Sequence, residues 1–166
     1  MFTSVRAGLA AALIALAILP ASVSAFAADK AFKRGDLDDA AIKLEAQIKN
    51  DAGTVTKPAA ALRRDADAAF QKNDFRTGMT VLGQLVTVAP TDASNWLRLA
   101  RTVLQIRPRD DREKALLLDR ASTAAYIAYQ RATGRDIEAD ILAVLGKTLA
   151  DRNQWRPALD SMRLAL

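Results

Sequence analysis

The sequence predicts an all-α fold, a stack of antiparallel helix pairs with no sheet. Three observations carry that expectation. The first is composition: 51% of the 166 residues are apolar, only 5% are aromatic, and seven glycines and five prolines are the only strong interruptions. Alanine, leucine, arginine, lysine and glutamine have the best helix propensities, whereas strands favour β-branched and aromatic residues, which are sparse here. The second is spacing: in "SNWLRLARTVL", Trp96, Leu99, Ala100 and Val103 fall on one face of a 3.6-residue period. The third is recurrence. Leu142, Leu145, Gly146 and Leu149 repeat the same spacing, and Leu62, Ala66 and Ala69 repeat it more weakly, with Asp65 in the slot of Leu99.

The elements follow in order. Residues 1–27 hold one charge, Arg6, then the apolar run "AGLAAALIALAIL", Pro20, and small residues ending in Ala25-Phe26-Ala27. This is the build of a secretory signal peptide cleaved before Ala28. Its apolar run falls short of the roughly 20 residues needed to span a bilayer. Residues 28–58 are expected to form an N-terminal covering helix and a linker. In "RGDLDDAAIKLEAQI", Gly35, Asp36 and Leu37 make a turn and Ala40, Leu44 and Ile48 point inward; Gly53 and Pro58 in "NDAGTVTKP" break the pattern. Arg34-Gly35-Asp36 also matches an integrin-binding tripeptide, but a helix start accounts for it.

Three helix pairs should then occupy 59–92, 93–138 and 139–166. In the first and third, an asparagine, a polar residue and an aromatic (Asn73-Asp74-Phe75 and Asn153-Gln154-Trp155) open the second helix. Small residues follow at Gly78 and Ala158, then Leu82 and Met162, then Leu85 and Ala165. The middle pair is longer. Pro108 ends its first helix, and Asp110 with Glu113 forms a capping box for a second helix that runs to about Gly134.

These spacings resemble the tetratricopeptide repeat, with its 34-residue period and its W-x2-L-G-x2-Y, A-x3-F and P signature. Pro90 closes the first copy, Trp96 opens the second, and Ala125, Tyr129 and Ala132 match the second-helix spacing. The resemblance implies a right-handed stack of helix pairs whose first helices line a concave groove for a peptide or partner helix. By slot, that groove carries Arg63, Asp67, Phe70, Leu97, Arg101, Leu104, Ala143 and Lys147. Arg101 and Lys147 are candidates to hold a carboxylate. The family's clamp for C-terminal carboxylates is not expected, because Asp140 stands where the clamp has a groove lysine.

Composition narrows the function. The chain has no cysteine and no histidine, which removes thiol nucleophiles, thiolate metal sites and the commonest acid–base group and metal ligand. The pairs Asp38-Asp39 and Asp110-Asp111 fall in first turns, where capping and the helix dipole explain them; Asp65 and Asp67 are expected to pair with Arg63 or Arg64. The net charge is +5, but the signs alternate, as in "RPRDDREK", so no nucleic-acid stripe emerges. A non-catalytic, cofactor-free and metal-free protein-interaction module is expected. It would be exported to the periplasm or secreted, meeting the membrane only through its leader.

The leader with "ADKAFKRGDLDDAAIKLEAQIK", "GTVTKPAAALRRDADAAF" and "NWLRLARTVLQIRP" is similar to the N-terminal region of bacterial alpha-2-macroglobulin-like proteins. That resemblance implies the leading segment of a longer protease inhibitor, with the remainder of its own chain as one partner. The third pair stops at Leu166 inside a helix without a polar capping helix, which fits the same expectation. The alternative is a stand-alone periplasmic adaptor of envelope assembly.

Overall fold

The structure is a computed structural model that describes residues 32–166. The signal-peptide reading of 1–27 lies outside the described residues. Those described form seven α-helices and no strand, so the all-α expectation holds.

Helix α1 (Gly35–Ala52) turns Leu37, Ala41, Leu44 and Ile48 inward at spacings of three and four residues. The expected turn at 35–37 is already helical, and Ala41 rather than Ala40 is the inward residue. Once Leu37 sets the stripe, the next inward position is one turn on. Gly53, at φ 57, ends the helix in a backbone region that side chains with a Cβ disfavour. The position of α1 was not foreseen. It lies across α3 and α5, the second helices of the first two pairs, and makes no backbone contact with α2, its neighbour in sequence.

Polar and aromatic contacts explain that placement. The Tyr126 hydroxyl and the Gln130 amide both donate to Oδ1 of Asp38, each at 2.8 Å. The Phe32 N–H donates to the Tyr129 hydroxyl at 3.1 Å, and the Phe32 ring meets both tyrosines edge to face. Arg131 pairs with Glu45. Asp38 therefore serves as an anchor between helices and not as a helix cap.

The first pair is α2 (Ala59–Gln71) and α3 (Phe75–Val88), and the third is α6 (Arg135–Asp151) and α7 (Trp155–Leu164). Their internal turns are built alike. Asn73 and Asn153 have φ of 55° and 60°, the left-handed region that asparagine tolerates better than most side chains. The Asp74 N–H donates to the Ala69 carbonyl and the Asn73 N–H to that of Phe70, both at 2.9 Å. Gln154 and Asn153 repeat this pair of bonds to Leu149 and Ala150 at 2.8 and 2.9 Å. Both turns are thus Schellman closures that satisfy the last carbonyls of the first helix.

Small residues then let each pair close. An added Cβ at Gly78 would stand 2.3 Å from Cε1 of Phe70, and one at Gly146 would stand 2.6 Å from Cγ of Met162 and 3.2 Å from the Ala158 carbonyl oxygen.

The middle pair is α4 (Ala93–Gln105) and α5 (Asp111–Arg131). Asp92 caps α4 by accepting from the Ser94 N–H at 3.0 Å. Asp110 caps α5 by accepting from the Glu113 N–H at 2.7 Å, while the Glu113 carboxylate accepts from the Arg109 N–H at 2.6 Å. The expected capping box is present in this slightly shifted form. Helix α5 ends at Arg131, three residues short of Gly134; Ala132 is extended and buried.

Every residue of α5 from Ala121 to Tyr129 is buried, because α1, α4 and α6 surround that half. Four alanines in the stretch allow such close approach. The other half, from Asp111 to Arg120, is exposed or half-buried throughout and leaves Leu116 62% exposed.

Candidate binding cleft

The residues expected to line the groove divide into three groups. The first is charged and exposed. Arg63, Asp67, Arg101 and Lys147 all reach solvent, but each has a partner. Arg63 pairs with Asp92 at 3.0 Å, Asp67 with Arg98, Arg101 with Asp140 at 3.1 Å and Lys147 with Asp151 at 2.7 Å. The expected pairing of Asp65 and Asp67 with Arg63 or Arg64 is not found. Asp65 reaches Lys57 at 2.8 Å, and Asp67 crosses to α4.

These pairs are mostly between helices, so they hold the first helices side by side. Exposed ion pairs contribute little stability, roughly 0–1 kcal/mol each, and their chief effect here is to set charge. Arg101 already has a carboxylate neighbour in Asp140, so a ligand carboxylate there must displace it or share the guanidinium.

The second group, Leu97, Phe70 and Ala143, shares no single environment. Leu97 is 6% exposed and belongs to the core. Helix α4 packs on α3, α5 and α6 and buries residues on nearly every side, so slot matching misassigned Leu97 to the groove. Phe70 is half-buried: it stacks on Phe75 at 6.2 Å, and the Arg98 guanidinium sits 4.9 Å from its ring centre. It acts as a seat for Arg98. Ala143 is exposed.

The third group converges. Arg101, Leu104 and Lys147 line one open cleft of about 500 Å³ together with Leu117, Leu118 and Lys114. Helix α4 supplies Arg101 and Leu104, α6 supplies Lys147, and the N-terminal half of α5 supplies the other three. The extra length of the middle pair thus builds one wall. The floor is leucine, and three cations stand at the rim, of which Lys147 is paired with Asp151 and Arg101 with Asp140. Slot matching with the shorter repeat has no counterpart for Lys114, Leu117 and Leu118; the only sequence signal for them is the triple leucine after a capping box.

Outside the cleft, three carboxylates have pKa values held below their ordinary range, Asp36 by its hydrogen bond from Arg34 and two others by capping contacts. Glu113 is lowered by its hydrogen bond from Arg76 and then by the Arg109 N–H. Asp74 is lowered by its hydrogen bonds from Thr77. Asp74 and Glu113 are helix-capping groups, which shifts of this kind suit.

Among the described residues no cluster of carboxylates is arranged to hold a metal ion, and no helix is long and apolar enough to cross a membrane. No protein-family model matches the chain, and no curated protein matches it significantly.

Proposed function

We propose that the chain is a non-catalytic protein-interaction scaffold that binds an extended segment of a partner in the cleft between α4, α5 and α6. The observation that carries this reading is the convergence of Leu104, Leu117 and Leu118 with Arg101, Lys114 and Lys147 on three packed helices. An apolar floor with a cationic rim suits a peptide whose apolar side chain lies next to an acidic one. Apolar area gives affinity, and the rim sets register and partner choice. Helices position these groups more rigidly than loops do, which limits the ordering cost of binding.

The wider setting is read from resemblance. The leader and the segments up to Pro108 support an exported tetratricopeptide-like segment of an alpha-2-macroglobulin-like protease inhibitor, in which the stack serves as a spacer or docking arm. One structural observation favours a setting with further packing: Trp155, Leu159 and Met162 of α7 are exposed along one helix. A purified chain that is monomeric, cooperatively folded and free of self-association would favour the stand-alone adaptor instead.

Peptide binding itself is tested by substituting residues that line the cleft without filling the core. Lys114→Glu and Leu118→Glu should each abolish binding of a peptide selected against the wild-type chain, with the helical content unchanged. Retained binding in both variants would reject the cleft.

A further inference from the structure

A second cavity, of about 220 Å³, lies where α1 crosses α3 and α5. Its walls are Ile48 and Met79, Gly83 forms part of its floor without a side chain, and Thr80, Gln84, Asp51 and Arg120 supply the polar groups. Arg120 is the unusual member. Its side chain is only 25% exposed. Its Nε is buried without any acceptor. Nη1 meets only the thioether sulfur of Met79 at 3.9 Å, and Nη2 is 3.9 Å from the Asp51 carboxylate.

A guanidinium offers five donors in a flat fork. Among the described residues none of them has an oxygen acceptor at hydrogen-bonding distance, although more than nine-tenths of buried polar groups in proteins find a partner. The other interhelical arginines on this side are better served: Arg76 reaches Glu113 at 2.9 Å, and Arg152 reaches Asp119 at 2.9 Å and Ser122 at 2.7 Å.

We propose that this pocket is a receptor for one carboxylate group, bound by the Arg120 guanidinium. Carboxylate and guanidinium are matched as planar, two-point partners. Asp51 repels any added anion, and a singly charged carboxylate meets less of that repulsion than a doubly charged phosphate. The apolar walls at Ile48 and Met79 accommodate a short aliphatic stem, and the volume holds several water-sized groups at about 30 Å³ each. Bound there, the ligand touches residues of α1, α3 and α5 together and so ties the N-terminal helix to the stack.

The carboxylate can come from a free small acid or from an acidic side chain of a partner. Titration calorimetry of the full chain against propionate, with chloride at equal ionic strength as the control, reads the first source. A short peptide containing one glutamate, compared with its glutamine analogue, reads the second. Saturable binding of either carboxylate, absent with chloride and glutamine, is expected.

Arg120→Gln should weaken binding by about tenfold or more, the loss expected for one charged two-point pair. Asp51→Asn is exposed and outside the core, so its fold is not at risk. It removes the competing carboxylate and should tighten binding severalfold. If Arg120 serves only as an ion-pair partner of Asp51, Asp51→Asn lowers the melting temperature and neither carboxylate binds saturably to either protein; that result overturns the proposal.

Discussion

The indole Nε1 of Trp96 donates to the carbonyl oxygen of Pro90 at 2.8 Å. Trp96 opens the second helix pair and Pro90 closes the first, so one hydrogen bond fastens the joint between them. The ring is 2% exposed, and the Arg131 guanidinium lies 5.0 Å from its centre while also pairing with Glu45 of α1. Pair one, pair two and the N-terminal helix therefore meet at this tryptophan. Trp96→Ala should lower stability by about 3–5 kcal/mol, the cost of emptying a buried aromatic site. Trp96→Phe keeps most of the packing but leaves the Pro90 carbonyl unpaired, at about 0.5–1.5 kcal/mol. Urea melts measure both, and an unchanged midpoint for the alanine variant would remove the claim that the joint depends on this ring.

The two matching turns give a sharper test of local design. Asn73 and Asn153 hold positive φ inside Schellman closures. Asn73→Ala should cost about 1 kcal/mol, since a residue with a Cβ and no local hydrogen-bonding side chain is strained there by about 1–2 kcal/mol. Asn73→Gly should be neutral or slightly stabilising. The same pair of substitutions at Asn153 should behave alike. Thermal melts showing alanine tolerated as well as glycine at both sites would mean that the turns do not depend on this geometry.

Tyr126 predicts a pH dependence. Its pKa is raised above 10.0, first by burial and then by its hydrogen bond to Asp38. The unfolded tyrosine ionises near its ordinary pKa of about 10 while the folded one stays protonated. Above that pH the unfolded state binds fewer protons, so stability falls as pH rises from about 10 through the folded pKa, and it is fully present below. Chemical melts between neutral pH and the alkaline range should show this loss. Tyr126→Phe should start less stable, because Asp38 and the docking of α1 lose a hydrogen bond, and should decline less steeply. An equal alkaline slope in the two proteins would assign the loss to other groups.

For export, N-terminal sequencing of the chain recovered from the periplasm or medium should read Ala28-Asp29-Lys30. A membrane-bound chain retaining Met1 would contradict cleavage after Ala27.

Much of the helical fold was legible in the sequence because it rests on short-range chemistry. The period at Trp96, Leu99, Ala100 and Val103, the asparagines at Asn73 and Asn153, and the cap at Asp110 each act within a few residues. What the sequence hid was relationship at a distance. Nothing in "RGDLDDAAIKLEAQI" says that Asp38 will receive two donors from α5 and draw α1 away from α2. The partners of Arg63, Asp67 and Arg101 were equally hidden, since interhelical ion pairs have no fixed spacing. Leu97 was misplaced because its slot assumed an open groove where α4 is enclosed. The cleft wall at Lys114, Leu117 and Leu118 was missed because it sits in the extra length of the middle pair, for which the repeat pattern has no position.

The α4–α5–α6 cleft is proposed to bind an extended peptide. This binding is tested most directly by selecting peptides from a random display library against the full chain and mapping the best binder by amide chemical-shift perturbation. We expect enriched peptides that place an apolar residue beside an acidic one, with shifts concentrated around Arg101, Leu104, Lys114, Leu118 and Lys147. Selection that enriches no sequence, or binders whose shifts fall away from these residues, would contradict it.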